Sequence, residues 1–163
     1  MASRRTDQLQ PKKTSRALPM ALLRGREIIM SRFRPMLALH DVSEQQWRVL
    51  RVLNEVRFLD ASEVANRATI LAPSLTRIIK TLEGRGLIQS GKFDKDGRRV
   101  LLSITPAGTE LIQKILPQSL EIYKEIDARF GSDKIEQLLN LLEDLEKISE
   151  DAPVQTPEAA AAK

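Results

Sequence analysis

Six residues near the middle of the chain, Asp94-Lys95-Asp96-Gly97-Arg98-Arg99, crowd two carboxylates and two guanidiniums around one glycine. Three chemistries fit that composition. Asp94-x-Asp96-Gly97 could belong to a metal loop, the two aspartates could form an acid pair, or the segment could be a turn that aims an arginine at a partner. A calcium loop needs further acidic ligands and a downstream Glu at fixed spacing, and neither is present. The wider chain is equally poor in catalytic groups. It has one histidine, His40, and no cysteine, so disulfides and thiolate metal sites are excluded. A nucleophilic triad would need His40 beside a serine and an acid, and no serine carries such a motif. No glycine-rich loop is built to cradle phosphate, and a zinc site with one His would need several carboxylates at ligand spacing. The sequence predicts a protein that is not an enzyme and needs no metal or cofactor.

A second group of residues points to a polyanion. In "TILAPSLTRIIKTLEGRGLI", Leu75, Ile78, Ile79 and Leu82 repeat at i, i+3, i+4, i+7, which predicts a helix with one buried face. The other face carries Ser74, Thr76, Arg77 and Lys80. Hydroxyls near the start of a helix and basic groups further along suit a major groove, where guanidinium reads guanine and hydroxyls bind phosphates or bases. An ordinary amphipathic helix with a solvated polar face would look the same. The surroundings favour DNA: from Arg67 to Arg99 there are eight basic and three acidic residues. Charge is also unevenly spread. Residues 1–18 hold five Lys/Arg against one Asp, residues 19–105 fifteen basic against nine acidic, and residues 106–163 six against twelve. A basic middle beside an acidic C-terminal arm fits a polyanion-binding module on a scaffold that does not bind.

The elements that must position these groups read as follows. Leu18 to about Leu39 predicts a helix, with Leu22, Ile29, Phe33 and Met36 on one stripe and Pro35 kinking its last turns. Ser43-x-x-Gln46 is a capping box that opens a second helix, with Trp47, Leu50 and Leu53 inward, and Asp60-x-x-Glu63 opens a short third. Pro73 suits the first position of the fourth helix, and Gly86 its left-handed stop. Leu87 to Phe93 and Arg98 to Ile104 read as strands, with Val100, Leu102 and Ile104 on one face and Asp94 to Gly97 as their turn. Thr105-Pro106 caps a fifth helix that runs to Phe130, with Ile122, Tyr123 and Ile126 inside and a bend at Pro117. Gly131 stops it. Ser132 starts a sixth, striped by Ile135, Leu138, Leu139, Leu142, Leu145 and Ile148. The fold class expected is mainly α with a small β-hairpin: a winged helix-turn-helix with flanking dimerisation helices. Residues 1–17 read as a disordered basic arm, 18–150 as the winged-helix domain, and 151–163 as a disordered tail. Within the domain the DNA-binding lobe is expected at about 43–104 and the dimerisation helices at about 18–40 and 105–150. No apolar run approaches the ~18 residues of a membrane span, and no secretory signal is expected. The cysteine-free composition fits a cytoplasmic protein.

The hairpin tip then acquires a role. Arg98 can enter a minor groove, whose negative potential favours guanidinium. Asp96 can hold Arg98 by an ion pair, while Asp94 suits a turn.

"DGRRVLLSITPAG" resembles the wing-and-helix signature D-x-R-x-x-x-L-x-L-T-x-x-G of the MarR family (multiple antibiotic resistance regulators). Asp96, Arg98, Leu102, Thr105 and Gly108 match, and Ile104 stands where leucine is usual. "LPMALLRGREIIMSRFRPML", "SEQQWRVLRVL" and "RFGSDKIEQLLNLLEDLEKI" are similar to one subgroup, the repressors of homoprotocatechuate (4-hydroxyphenylacetate) degradation operons. The resemblance covers about residues 18–150. It implies a homodimer on a pseudo-palindromic operator, usually repressing, with an aromatic carboxylate as effector between the dimerisation helices and the DNA-binding lobe. Carried over by position, Ser74, Thr76, Arg77 and Lys80 fall on the recognition helix, and Asp96 and Arg98 on the wing.

An aromatic acid needs a cation, apolar walls and a polar group for a ring hydroxyl. Arg26, Met30, Phe33 and Arg34 on the first helix, with His40, Trp47 and Arg51 on or near the second, could supply them if the helices cross. Plain alternatives stand beside this: Phe33 and Trp47 as core, His40 as a helix cap, Arg26 paired with an acid across a dimer. Two other functions also fit the sequence, an effector-independent DNA-binding protein and a winged-helix protein-interaction module.

Overall fold

The computed structural model describes residues 13–91 and 100–151. The chain divides into two compact units, residues 1–119 and residues 120–163. After a single 3-10 turn at Thr14–Arg16 come α1 (Leu18–Ala38), α2 (Glu44–Glu55), α3 (Ala61–Ala68) and α4 (Ala72–Gly84). The strands β1 (Ile88–Gly91) and β2 (Leu101–Ile104) follow, then α5 (Pro106–Phe130) and α6 (Ser132–Asp151). The expected order of four helices, a hairpin and two helices is the order observed.

The helix starts follow their caps. The Ser43 hydroxyl accepts the Gln46 amide while the Gln46 side chain accepts the Ser43 amide, and Asp60 and Glu63 do the same for α3. Leu71, not a polar residue, precedes α4, so Pro73 falls one place later than the sequence predicts. Gly86 takes φ +68°, the left-handed stop expected after α4.

The core of the first unit draws on every element after α1. Val49, Leu50 and Leu53 of α2 meet Val64 and Ala68 of α3 and Leu75, Ile78 and Leu82 of α4. Leu87, Ile88, Leu102 and Ile112 close the cluster. The hairpin is antiparallel, pairing Ile88 with Ile104 and Gly91 with Leu101. Leu59, between α2 and α3, adds a one-residue bridge to Leu102 through bonds of 3.2 and 2.7 Å. Among the described residues Leu87 and Val100 fall outside the strands expected to hold them, the expected strand residues 92–93 and 98–99 lie outside the described residues, and the alternation of β2 is broken. Val100 lies outside β2 and is exposed, whereas Leu102 and Ser103 are both buried. Leu102 is held from two sides, by β1 and by Leu59, and the buried Ser103 hydroxyl is satisfied by accepting the Gln89 side-chain amide at 3.3 Å.

The start of α5 locks onto the hairpin. Thr105 Oγ1 donates to the Gly86 carbonyl at 2.6 Å and accepts the Gly108 amide at 3.2 Å, and the Thr105 amide donates to the Leu87 carbonyl. A Cβ on Gly108 would sit 2.2 Å from that same Leu87 oxygen. The Thr-x-x-Gly spacing is thus a packing requirement as well as a cap.

The second unit contains the end of α5 and all of α6. Gly131 stops α5 at φ +100°, donating its amide to Asp127. The sequence places Tyr123 inside, yet in the single chain it is 55% exposed. None of the α6 stripe is buried either: Leu138, Leu139, Leu145 and Ile148 stand in solvent.

Candidate nucleic-acid interface and the adjoining ligand corner

Leu75, Ile78 and Leu82 fix α4 to the core by one face, which turns the opposite face outward. Thr76, Arg77 and Lys80 are exposed there and Ser74 is half-buried. The Thr76 hydroxyl donates back to the Ala72 carbonyl at 3.2 Å, leaving its oxygen lone pairs as the outward function. Arg77 and Lys80 have no ion-pair partner among the described residues. Asp94, Asp96 and Arg98, expected at the wing tip, lie outside the described residues.

Two arginines that the sequence reading passes over brace this helix. Arg48 of α2 donates from Nη1 to the carbonyl of Thr69, which holds the turn before α4 in a left-handed conformation, φ +52°. Burial, and second the positive charge of Arg26, hold the Arg48 pKa below the ordinary arginine value. Its Nε is buried without a partner. At the other end, Arg85 donates to the carbonyls of Asp41 (2.6 Å) and His40 (3.4 Å), tying the end of α4 to the corner between α1 and α2. Neither contact has a sequence signature, since each joins a side chain to a distant backbone oxygen.

That corner is where the expected effector residues gather in part. Arg26 and Arg34 of α1 both reach Glu44, the first residue of α2, and Arg34 also grips Glu27 with two bonds of 2.8 Å. The Arg34 hydrogen bonds hold the Glu27 carboxyl below its usual range, and Glu27 raises Arg34 in return. Two of the three guanidiniums expected at the effector site, Arg26 and Arg34, therefore already hold carboxylates of this corner. Met30 is half-buried on the same helix, and Phe33 is buried. Trp47 packs against the core, and Arg51 lies over its ring, 5.9 Å from the centroid, while pairing with Glu55. His40 keeps a buried Nε2 with no partner. Among the described residues no cluster of His, Asp and Glu could hold a metal, and no helix is long and apolar enough to cross a membrane.

Residues 42–100 match the model of the MarR family. The chain is 41% identical to the homoprotocatechuate degradative operon repressor of Escherichia coli over 128 residues, covering 78% of this chain and 86% of that protein. It is 40% identical over 134 residues to the HTH-type transcriptional regulator FarR of Neisseria gonorrhoeae, covering 82% and 92%. Among solved structures, that of NadR in complex with 4-hydroxyphenylacetate superposes with a TM-score of 0.73 at 38% identity, covering 85% of this chain and 99% of that one. The helix-turn-helix, the hairpin and these likenesses agree: the chain belongs to the MarR family of transcriptional regulators.

Proposed function

We propose that the chain represses transcription as a homodimer on a pseudo-palindromic operator, and that an aromatic carboxylate releases it to permit catabolism of aromatic compounds. One observation carries the DNA part: α4 presents Ser74, Thr76, Arg77 and Lys80 on the face opposite its core anchors, immediately before a hairpin. Two such helices set about 34 Å apart by a two-fold axis meet successive major grooves. Arg98, steadied by Asp96, reaches the minor groove beside them.

The dimer is supported by the exposed leucines. Leu18, Leu22 and Leu23 of α1 in the first unit, and Leu138, Leu139 and Leu141 of α6 in the second, leave far more apolar surface than a solitary domain sustains. The effector is supported by the arginine–glutamate corner and by the bound state of NadR. An incoming carboxylate replaces Glu44 or Glu27 on Arg26 or Arg34, conserving charge while loosening the tie between α1 and α2. Arg85, bonded to the His40 and Asp41 carbonyls, passes that change to the end of α4. Release follows only so far as the ligand binds the DNA-free state better.

The test is a mobility-shift titration on DNA flanking the protein's own gene, with 4-hydroxyphenylacetate, protocatechuate and benzoate added in turn. Weakening by at least one acid is expected. A complex insensitive to all three removes the effector and leaves a constitutive DNA binder. No complex at all favours a protein-interaction module.

A further inference from the structure

The residue before the recognition helix is the anomaly. Leu71 is 80% exposed, the most exposed large apolar side chain among the described residues. It occupies the N-cap of α4 with extended backbone and offers no side-chain bond to the helix. Leucine is among the poorest residues at that position. The same chain caps α2 with Ser43 and α3 with Asp60, each with a complete reciprocal box. Ala72 and Pro73 follow and are exposed as well, so three consecutive apolar residues lead the helix into solvent. Pro73 suits the first turn of a helix, but neither helix capping nor core packing accounts for Leu71.

The partner proposed for α4 does account for it. A recognition helix touches base edges with its N-terminal residues. On the major-groove edge the thymine C5 methyl is the apolar group to be read. Resting on the reading of α4 as the recognition helix, we propose that Leu71, flanked by Ala72 and Pro73, reads a thymine methyl in each operator half-site. Leu71 is then a specificity-determining residue beside the polar Arg77 and Lys80. The occupant of this apolar tip is duplex DNA, drawn there by the two unpaired cations on the same helix.

The experiment uses a duplex that the full-length wild-type protein selects from a random-sequence pool. Each thymine of one half-site is replaced in turn by deoxyuridine, which lacks only the methyl group. At one position the wild type should bind about fourfold more weakly, the worth of one buried methyl. Leu71→Ser should bind the two duplexes equally. The serine also supplies a capping oxygen, so a melting temperature at or above that of the wild type will show that the variant folds. Equal uracil sensitivity in Leu71→Ser and wild type overturns the proposal, as does a selected site at which no thymine methyl matters. If the wild type selects no duplex, the DNA reading itself falls, which is a different result from a sequence-specific complex indifferent to every methyl.

Discussion

The two units of this chain use the same residue types to different ends. In residues 1–119 some charged side chains bridge elements, Arg26 and Arg34 to Glu44 across α1 and α2, Arg48 to the turn before α4, Arg85 to the corner after α1, beside pairs within a helix such as Arg51–Glu55. In residues 120–163 the pairs Lys124–Glu121, Arg129–Glu125 and Lys147–Asp144 each lie within one helix at spacings of three or four. The apolar residues divide likewise. Val49, Leu50 and Val64 are sealed from water, whereas the α6 stripe is open along its length. In the first unit α2, α3 and α4 bury one face in a shared core, whereas the leucines of α6 in the second are exposed. The proposed two-fold repressor would require this contrast, a buried core in one unit and apolar surface left for association in the other.

The sharpest way to break that contrast is to remove a residue from each side. Leu50→Ala empties a fully buried site, and a loss of about 2–5 kcal/mol in denaturant unfolding is expected, independent of protein concentration. Leu139→Asp places a charge on the open stripe. It should leave the heart of the first unit intact while raising the dimer dissociation constant by about a hundredfold or more, roughly 2.7 kcal/mol, seen in sedimentation as a shift to monomer. A Leu139→Asp protein that stays dimeric would remove α6 from the interface.

Gly108→Ala probes the junction where α5 meets the hairpin. The new Cβ would meet the Leu87 carbonyl, so either α5 or the end of the α4 turn must shift, at a cost of about 1–3 kcal/mol. Because the displaced backbone adjoins the wing, operator affinity should fall together with stability. A variant as stable as the wild type would mean that the close approach is softer than the geometry implies.

These sites also separate what a sequence can disclose from what it cannot. The boxes at Ser43 and Asp60, the Thr105 cap and the Gly86 stop are local, and each was readable because donor and acceptor lie within three or four residues. The α6 stripe was readable as a period, but burial depends on what faces it, and the facing surface is not encoded nearby. The alternation expected of β2 fails around Leu102, which takes a second partner, Leu59, from the far side of two helices. For the site, the outward face of α4 followed from the inward one. Arg48 and Arg85 were invisible because carbonyls 21 and 44 residues away leave no mark in a pattern. The sequence offered an acid across a dimer as a partner for Arg26; the acids it meets within its own chain are Glu27 and Glu44.

The smallest effect expected tests whether the ion pair within α1, which shares Arg34 with Glu44, matters energetically. Glu27 is exposed, yet its bonds to Arg34 hold its pKa below the ordinary carboxylate value. A depressed folded-state pKa contributes stability that is complete above the unfolded value, about 4.3, and is lost as pH falls through the lowered one. Glu27→Gln should therefore melt slightly below the wild type at pH 7, and the gap should close as acid protonates the wild-type carboxyl. Added salt should narrow the gap at neutral pH too, because both partners face solvent. Disrupting a within-helix pair of the second unit with Asp144→Asn should change melting less, since Asp144 accepts a single bond from Lys147 whereas Glu27 accepts from both Arg26 and Arg34. Equal effects at the two sites would mean that Glu27 adds nothing beyond an ordinary exposed pair, and that Arg34 is free to exchange it for a ligand at no structural cost.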